Sequence, residues 1–581
     1  MKSWITAAAI CALATTARAQ WTVETHPLQP GWNAIYALND TSDRSLDTVL
    51  AGYPAISKVW RWVPTNLTSQ FIANPEAPVA GQEWKTWVRG APEQSTMTRL
   101  EPNHGYLVFV EGAASVTLSL TGRAVVPKVD WRSSGSNLVG FPASLSPAAP
   151  QFGGTNSGYF APLAPLGYNP ASTRIFQYIG GEISDTNPSQ INAPTSATIL
   201  RGKAYWVNLP IYADFVSPVK LDLGAASGLA FGTRGGPQKV VLTNTSKAQI
   251  SVTLTPSESA APPEGQPEIA GKVPLLQRVW NETAQQFEFV PVTGPLTVTL
   301  AAGAHREWTF VPDRSAMTGP AGTRFATVLH VTDAGAHGSY SDLTLPVTAE
   351  TGGLGGLWVG EAVITQVQNH LQKYQRHADG SNVIDEQGRF VPDGPAQDAA
   401  ADTAQPFRLR VIVHVDAAGT ARLLSNVYIG QLATQPPGPG FTARQAVLVP
   451  ETLEKAVRIT AAHLPLDVVA AMDGSFGAGG RLSATVSVPI NDPVNPFLHT
   501  YHPDHDNLDA RFAGPAAEAF SVARAISLSV DAASPDADPQ WGAATLTGTY
   551  GESLTGLHKN AIEVAGRFAL RRISEITTFV P

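Results

Sequence analysis

The chain has 581 residues, with 39 Lys and Arg against 47 Asp and Glu, a formal charge of −8 at neutral pH, and one cysteine. That acidic balance argues against nucleic acid and anionic membrane surfaces as partners, and a lone cysteine excludes a disulfide framework. Charged residues are only 15% of the total while Gly (51) and Pro (46) are abundant, a composition that suits short strands and turns better than amphipathic helices.

Residues 1–19, MKSWITAAAICALATTARA, combine Lys2, an apolar run from Trp4 to Ala14 and the small-residue site Ala17-Arg18-Ala19. These are the parts of a secretory signal peptide, with cleavage expected after Ala19. Cys11 lies inside it, behind Ile10, and the Ala-x-Ala site downstream argues against acylation there. The apolar run is too short to span a bilayer, and no later segment approaches about 20 apolar residues, so the mature chain is expected to lack a transmembrane segment. Cleavage removes Lys2 and Arg18 and no acid, leaving 37 basic against 47 acidic side chains. An exported chain without cysteine fits the bacterial envelope or medium, and its domains must hold by core packing alone.

Helical periodicity is almost absent; the best short helix is Pro450 to Val457 (PETLEKAV), with Glu451 and Glu454 in its first turn. The other periodic segments alternate, so the expected fold is all-β: tandem β-sandwich-like domains followed by a C-terminal antiparallel β-barrel or sandwich.

Residues 20–124 and 125–223 read as two copies of one β module. In the first, the blocks are Gly31-Trp32-Asn33-Ala34-Ile35-Tyr36, Val59-Trp60-Arg61-Trp62-Val63, His104 to Phe109 and Val116 to Leu120. In the second they are Gly135-Ser136-Asn137-Leu138-Val139-Gly140, Arg174 to Tyr178, Lys203-Ala204-Tyr205-Trp206-Val207 and Val219 to Leu223. The same order of blocks in both implies a duplication. These blocks resemble the GWN and GYWV repeats of bacterial surface proteins, which implies accessory modules. Trp60, Trp62, Tyr106, Tyr205 and Trp206 have two readings: filling of a sandwich core, and an exposed strip on which sugar rings stack.

Residues 224–350 carry short alternating runs, among them Gln238 to Thr245, Ile250 to Leu254, Leu296 to Leu300 and Ala326 to Val331. Separated by Gly and Pro turns, they suggest an immunoglobulin-like sandwich, and the LTNTS stretch resembles the Ig-like spacers of bacterial exported proteins. His305, His330 and His337 are isolated here and read as surface or turn residues. The Gly-rich run 351–356 is a linker.

Residues 357–581 read as seven strands: Leu357 to Val367, Phe407 to Val415, Ala421 to Gly430, Arg481 to Ile490, Ala525 to Val530, Ala543 to Tyr550 and Ile562 to Ile573. Asp416-Ala417-Ala418-Gly419 is a tight hairpin turn, and the polar stretch Asn369 to Gln405 is expected to be a surface loop. The opening Gly356-Leu357-Trp358 and the closing Phe568 to Arg572 resemble calycin-type barrels. That resemblance implies a structural cation–π stack of Arg571 or Arg572 on Trp358 at the closed end.

The densest polar cluster is HTYHPDHDNLD, which follows three prolines (Pro489, Pro493, Pro496) that commit the chain to a loop. His499, His502, Asp504, His505, Asp506 and Asp509 are the candidate metal ligands. Carboxylates at that spacing can wrap calcium, although the turn glycine and late glutamate of an EF-type loop are missing, and the added imidazoles allow zinc. Turn chemistry stands beside this reading, since Asp and Asn satisfy their own backbone in loops. No GxSxG, HExxH or phosphate-binding glycine loop is present. Glu552 and His558 are the remaining acid–base candidates, and a glycosidase carboxylate pair stays open.

The whole chain resembles large exported β proteins of environmental bacteria, and the resemblance brings no activity with it. The expected function is an extracellular or envelope-associated binding or structural protein, with a divalent cation (calcium or zinc) held in the C-terminal loop. Carbohydrate or another surface protein is the expected partner. The alternative is a metal-dependent exported hydrolase acting on extracellular polymers.

Overall fold

The computed structural model describes residues 21–63, 84–132, 135–145, 149–184, 186–209, 213–335, 338–371, 373–395, 397–424, 427–430, 459–462, 470–489, 521–556 and 561–578. The protein is all-β, as its alternating patterns require, and it divides after Thr351 into two compact units. The helix expected over 450–457 lies outside the described residues.

In the N-terminal unit, strands Gly31–Ala37, His104–Val110, Ile56–Trp62 and Trp84–Val88 form one sheet in that order. A second sheet runs Asn137–Gly140, Ala204–Asn208, Arg174–Gln177, Ser189–Gln190. Both sheets therefore place their first strand beside their last, then the second, then the third. The two also share their locking devices. Tyr106 is fully buried, and its hydroxyl accepts from the Glu101 amide at 2.8 Å and donates to the Glu101 carbonyl at 2.9 Å. Tyr205, equally buried, accepts from the Leu200 amide at 2.9 Å. Each brace reaches back five residues.

The asparagine of each opening block is buried and ties down the chain that enters its strand. Asn33 bonds the Gln29 amide and carbonyl at 2.9 and 2.7 Å, while Asn137 accepts from the Arg132 amide at 2.7 Å. Burial pushes the Tyr205 phenol up to about 12, as expected for a hydroxyl held in a dry core. Removing this hydroxyl strands the Leu200 amide, so Tyr205→Phe is expected to lower stability by about 1–3 kcal/mol in urea unfolding. A loss within error of zero would mean that the brace does not hold the module.

The core reading of the module aromatics holds. Trp62, Tyr106, Tyr205 and Trp206 are buried and Trp60 is half-buried. Edge-to-face contacts join Trp32 to Trp60 (5.7 Å), Trp62 to Trp84 (5.0 Å) and Trp62 to Trp206 (5.2 Å), so the aromatics of both sheets meet in one core. Among the described residues these rings pack on one another rather than side by side on the surface.

Residues beyond 218 of this unit form two five-stranded sheets that share a core. One runs Val219–Asp222, Gln238–Asn244, His305–Pro312, Leu275–Asn281, Gln286–Pro291; the other runs Leu229–Ala230, Gly338–Glu350, Arg324–Gly335, Ile250–Glu258, Leu296–Leu300.

The C-terminal unit is a closed antiparallel barrel of eight strands: β1 (Gly356–Leu371), β2 (Gln397–Val415), β3 (Ala421–Leu423), β4 (Ala470–Gly474), β5 (Arg481–Val488), β6 (Val522–Val530), β7 (Thr545–Thr555) and β8 (Ile562–Ser574). Each pairs with the next in this order and β8 returns to β1, while Val427–Gly430 and Ile459–Ala462, between β3 and β4, pair with each other as a separate two-stranded sheet. Closure removes sheet edges. Sequence reading missed β4, whose AAMDG carries too little alternation to register. It also took 369–405 as one surface loop, whereas β1 and β2 continue as a paired ladder out to Leu371 and Gln397. Between them, residues 373–395 fold into short segments whose backbones bond in a ring, Gln375 to Val391, Val391 to Val383 and Val383 to Gln375. Side chains there are mostly exposed, so no apolar pattern marked the structure.

Candidate functional site

The six predicted metal ligands, His499, His502, Asp504, His505, Asp506 and Asp509, lie outside the described residues, and so does His558. The strands that flank their segment, β5 and β6, are neighbours with Val488 opposite Val522. Among the described residues no group of three or more His, Cys, Asp or Glu is arranged to hold a metal ion.

Glu552 is described, and it has a partner that sequence reading did not assign. On β6 the inward residues are Val522, Arg524, Ile526, Leu528 and Val530; on β7 they are Leu546, Gly548, Tyr550, Glu552 and Leu554. Strict alternation thus carries one arginine and one glutamate among the otherwise uncharged inward residues of these two strands. Arg524 Nη2 donates to Glu552 Oε2 at 3.0 Å, Arg524 Nε donates to Oε1, and the Tyr550 hydroxyl donates to Oε2 at 2.7 Å. The two charged side chains are 2% and 0% exposed. Burial followed by the Glu552 charge pushes the Tyr550 phenol well above its ordinary value, so it stays a donor. The Glu552 carboxylate thus receives three donors in a closed network.

At another polar position of the barrel, Arg572 lies 5.5 Å from the centre of the Trp358 ring. The Trp358 indole donates to the Leu354 carbonyl at 2.8 Å, and Arg572 donates to the carbonyls of Gly353 and Gly355. Arg572, of the two candidates, is thus the one over the tryptophan. Gly356 precedes it with φ +121°, and a Cβ there would fall 2.0 Å from the Ser574 carbonyl oxygen. The glycine of Gly-x-Trp is required by that close approach.

In the N-terminal unit the isolated-histidine reading fails for His330. Its Nδ1 lies 2.8 Å from Asp342 Oδ1, and Arg201 reaches the Asp342 carbonyl at 2.7 Å and its carboxylate at 3.7 Å. The antiparallel pairing of 324–335 with 338–350, which sets Thr332 opposite Asp342, brings His330 and Asp342 together, and Arg201 reaches them from the turn before Ala204–Asn208. They line a cleft of about 450 Å³ with Thr22, Glu24 and Asn39. Burial works against the Asp342 charge, but the hydrogen bond from His330 and the Arg201 guanidinium outweigh it and hold the carboxyl below its ordinary range. An oriented His–Asp pair is half of a nucleophile-activating set; among the described residues no hydroxyl is hydrogen-bonded to His330 Nε2.

A smaller cleft, about 280 Å³, holds Arg61 and His104. Burial and then the Arg61 charge push the His104 imidazole down. Its Nδ1 lies 2.7 Å from the Pro102 carbonyl and must donate there, which leaves Nε2 to accept from Arg61 Nη2 at 2.5 Å. Both ring nitrogens are engaged, so the group has no free lone pair for catalysis.

Arg524, His330 and Asp342 carried a readable signal only in part. A charge in register with apolar residues, as in VARAISLSV, marks an inward arginine, but its partner across the sheet depends on strand pairing. A scan of protein-family models finds none that matches this chain, and a search of curated proteins finds no match.

Proposed function

We propose that the chain is an exported, extracellular or envelope-associated binding or structural protein built from a duplicated β module, an Ig-like sandwich and a calycin-like barrel. The observation that carries the reading is the matched pair of N-terminal sheets. They share strand order, a tyrosine brace reaching five residues back, and a buried asparagine at the entry of the first strand. Duplicated, rigidly braced modules suit spacing and display. The polar groups inside the barrel support the same reading, because Arg524, Glu552 and Tyr550 bind one another.

The leader and the loop cluster belong to this proposal. Expressed with its leader in a bacterial host, the chain is expected outside the cytoplasm with Gln20 at its N-terminus; an uncut cytoplasmic chain overturns the reading. Metal analysis of the mature chain is expected to find about one divalent cation per molecule, held by neutral imidazoles and carboxylates and lost in Asp504→Ala and His502→Ala. No stoichiometric metal, with melting unchanged by chelator, removes the cation and with it the metal-dependent hydrolase.

A further inference from the structure

The hairpin of strands Leu275–Asn281 and Gln286–Pro291 forms the edge of its five-stranded sheet. Its register sets Arg278 opposite Phe289 and Trp280 opposite Phe287. Arg278, Trp280, Phe287 and Phe289 therefore share one face, while Val279, Glu288 and Val290 lie on the other.

This face is unusual in two respects. Trp280 is 43% exposed and Phe287 53% exposed, with their rings 5.0 Å apart at 70°. In the two N-terminal modules, by contrast, nearly all the tryptophans are buried in the core. Large aromatic side chains held together in water are a mark of binding surfaces. The Arg278 guanidinium carbon also sits 3.7 Å from the centre of the Phe287 ring. No hydrogen bond or ion pair to protein engages that guanidinium among the described residues. Glu288, the nearest acid in register, is on the opposite face, where the Asn281 amide donates to it at 2.6 Å.

We propose that this face binds an acidic polysaccharide, with a uronic-acid ring stacked by its C–H face on Trp280, whose indole Phe287 braces edge-on, and its carboxylate received by Arg278. The inference deepens the reading of an exported binding protein and rests on it. Stacking on an indole asks for a flat ring with an apolar face, which a pyranose supplies. A planar guanidinium held over a ring offers paired N–H donors that match a carboxylate fork. Two rings and one guanidinium cover the footprint of one or two sugar units, well short of the roughly 800 Å² per partner that a stable protein interface takes. On a chain that is acidic as a whole, the exposed Arg278 guanidinium is the local positive charge that selects an acidic unit over a neutral one at this face.

The test is retardation of the purified mature chain in gels containing polygalacturonate, alginate or hyaluronan, with a neutral β-glucan beside them. The expected result is retardation by at least one acidic polymer, weakened by salt, and none by the glucan. Trp280→Ala and Arg278→Gln are each expected to weaken it roughly ten-fold, as loss of a stacking surface or of a charge-assisted pair does. Unchanged melting curves would show that both variants fold, as exposed positions allow. Retardation by none of the three acidic polymers overturns the proposal, and so does equal retention by the glucan. Retention that survives both variants removes the site while leaving an exported binding protein, whereas failure of export leaves this binding result unaffected.

Discussion

Glu552→Gln is expected to destabilise the barrel by about 3–5 kcal/mol, the usual cost of removing one partner from a fully buried ion pair. The variant keeps the shape of the side chain, so the effect is one of charge. Arg524 would remain inside the barrel, 2% exposed, with its neutralising carboxylate gone. Hydrogen exchange separates the units: amides of β6 and β7 are expected to lose protection, while those of 204–258 keep theirs. Replacing both partners, as Arg524→Met with Glu552→Leu, is expected to recover most of the loss, because well-packed apolar residues avoid the desolvation that the pair must offset. If Glu552→Gln costs no more than about 1 kcal/mol, water reaches the pair and the barrel interior is not dry.

The second large effect is a pH dependence carried by Asp333. This residue is 1% exposed, and burial pushes its carboxyl up to about 7, against the hydrogen bonds from Ser341, whose amide donates to Oδ1 at 2.8 Å. The folded state thus holds the proton more tightly than the unfolded chain, in which the group titrates near about 4. Its contribution is fully present below about pH 4, declines as pH rises, and is gone above about pH 7, a span of at most about 4 kcal/mol. The N-terminal unit should therefore melt lower at pH 8 than at pH 5. Asp333→Asn should flatten that slope and make the unit more stable than the parent at pH 8. Asp342 runs the other way: its lowered carboxyl contributes at neutral pH and loses that contribution in acid. A parent unit that melts at the same temperature at pH 5 and pH 8 would contradict the assignment to Asp333.

Much of the fold could be read before any coordinates. Period-2 alternation in Leu409-Arg410-Val411-Ile412-Val413 and in Val522 to Val530 marks strands with one face in a core, and these are β2 and β6. The Gly-x-Trp opening and the arginine near the end placed a cation–π pair that is seen as Trp358 with Arg572. The candidate site was less legible. His330 looked isolated because Asp342, twelve positions away, reaches it only through strand pairing, and Arg201, still farther, comes from a turn outside those strands. The sugar-stacking idea fell on the module aromatics, which are core, while the exposed pair, Trp280 and Phe287, passed unnoticed in a hairpin. Nothing local separates an outward tryptophan from an inward one: the exposed Trp280 lies between Val279 and Asn281, and the buried Trp62 between Arg61 and Val63.

By itself, then, the sequence determined the class of structure: strands rather than helices, a break in the chain at the glycine run 351–356, and a net acidic charge. These are properties of composition and short-range pattern, which each stretch of chain carries alone. Tertiary structure decided that the last strand returns to the first to close a barrel, that Arg524 and Glu552 neutralise each other inside it, and which aromatics face water. Those outcomes depend on pairings between residues tens to hundreds of positions apart. Their energies come from desolvation and contact that exist only once the strands have met.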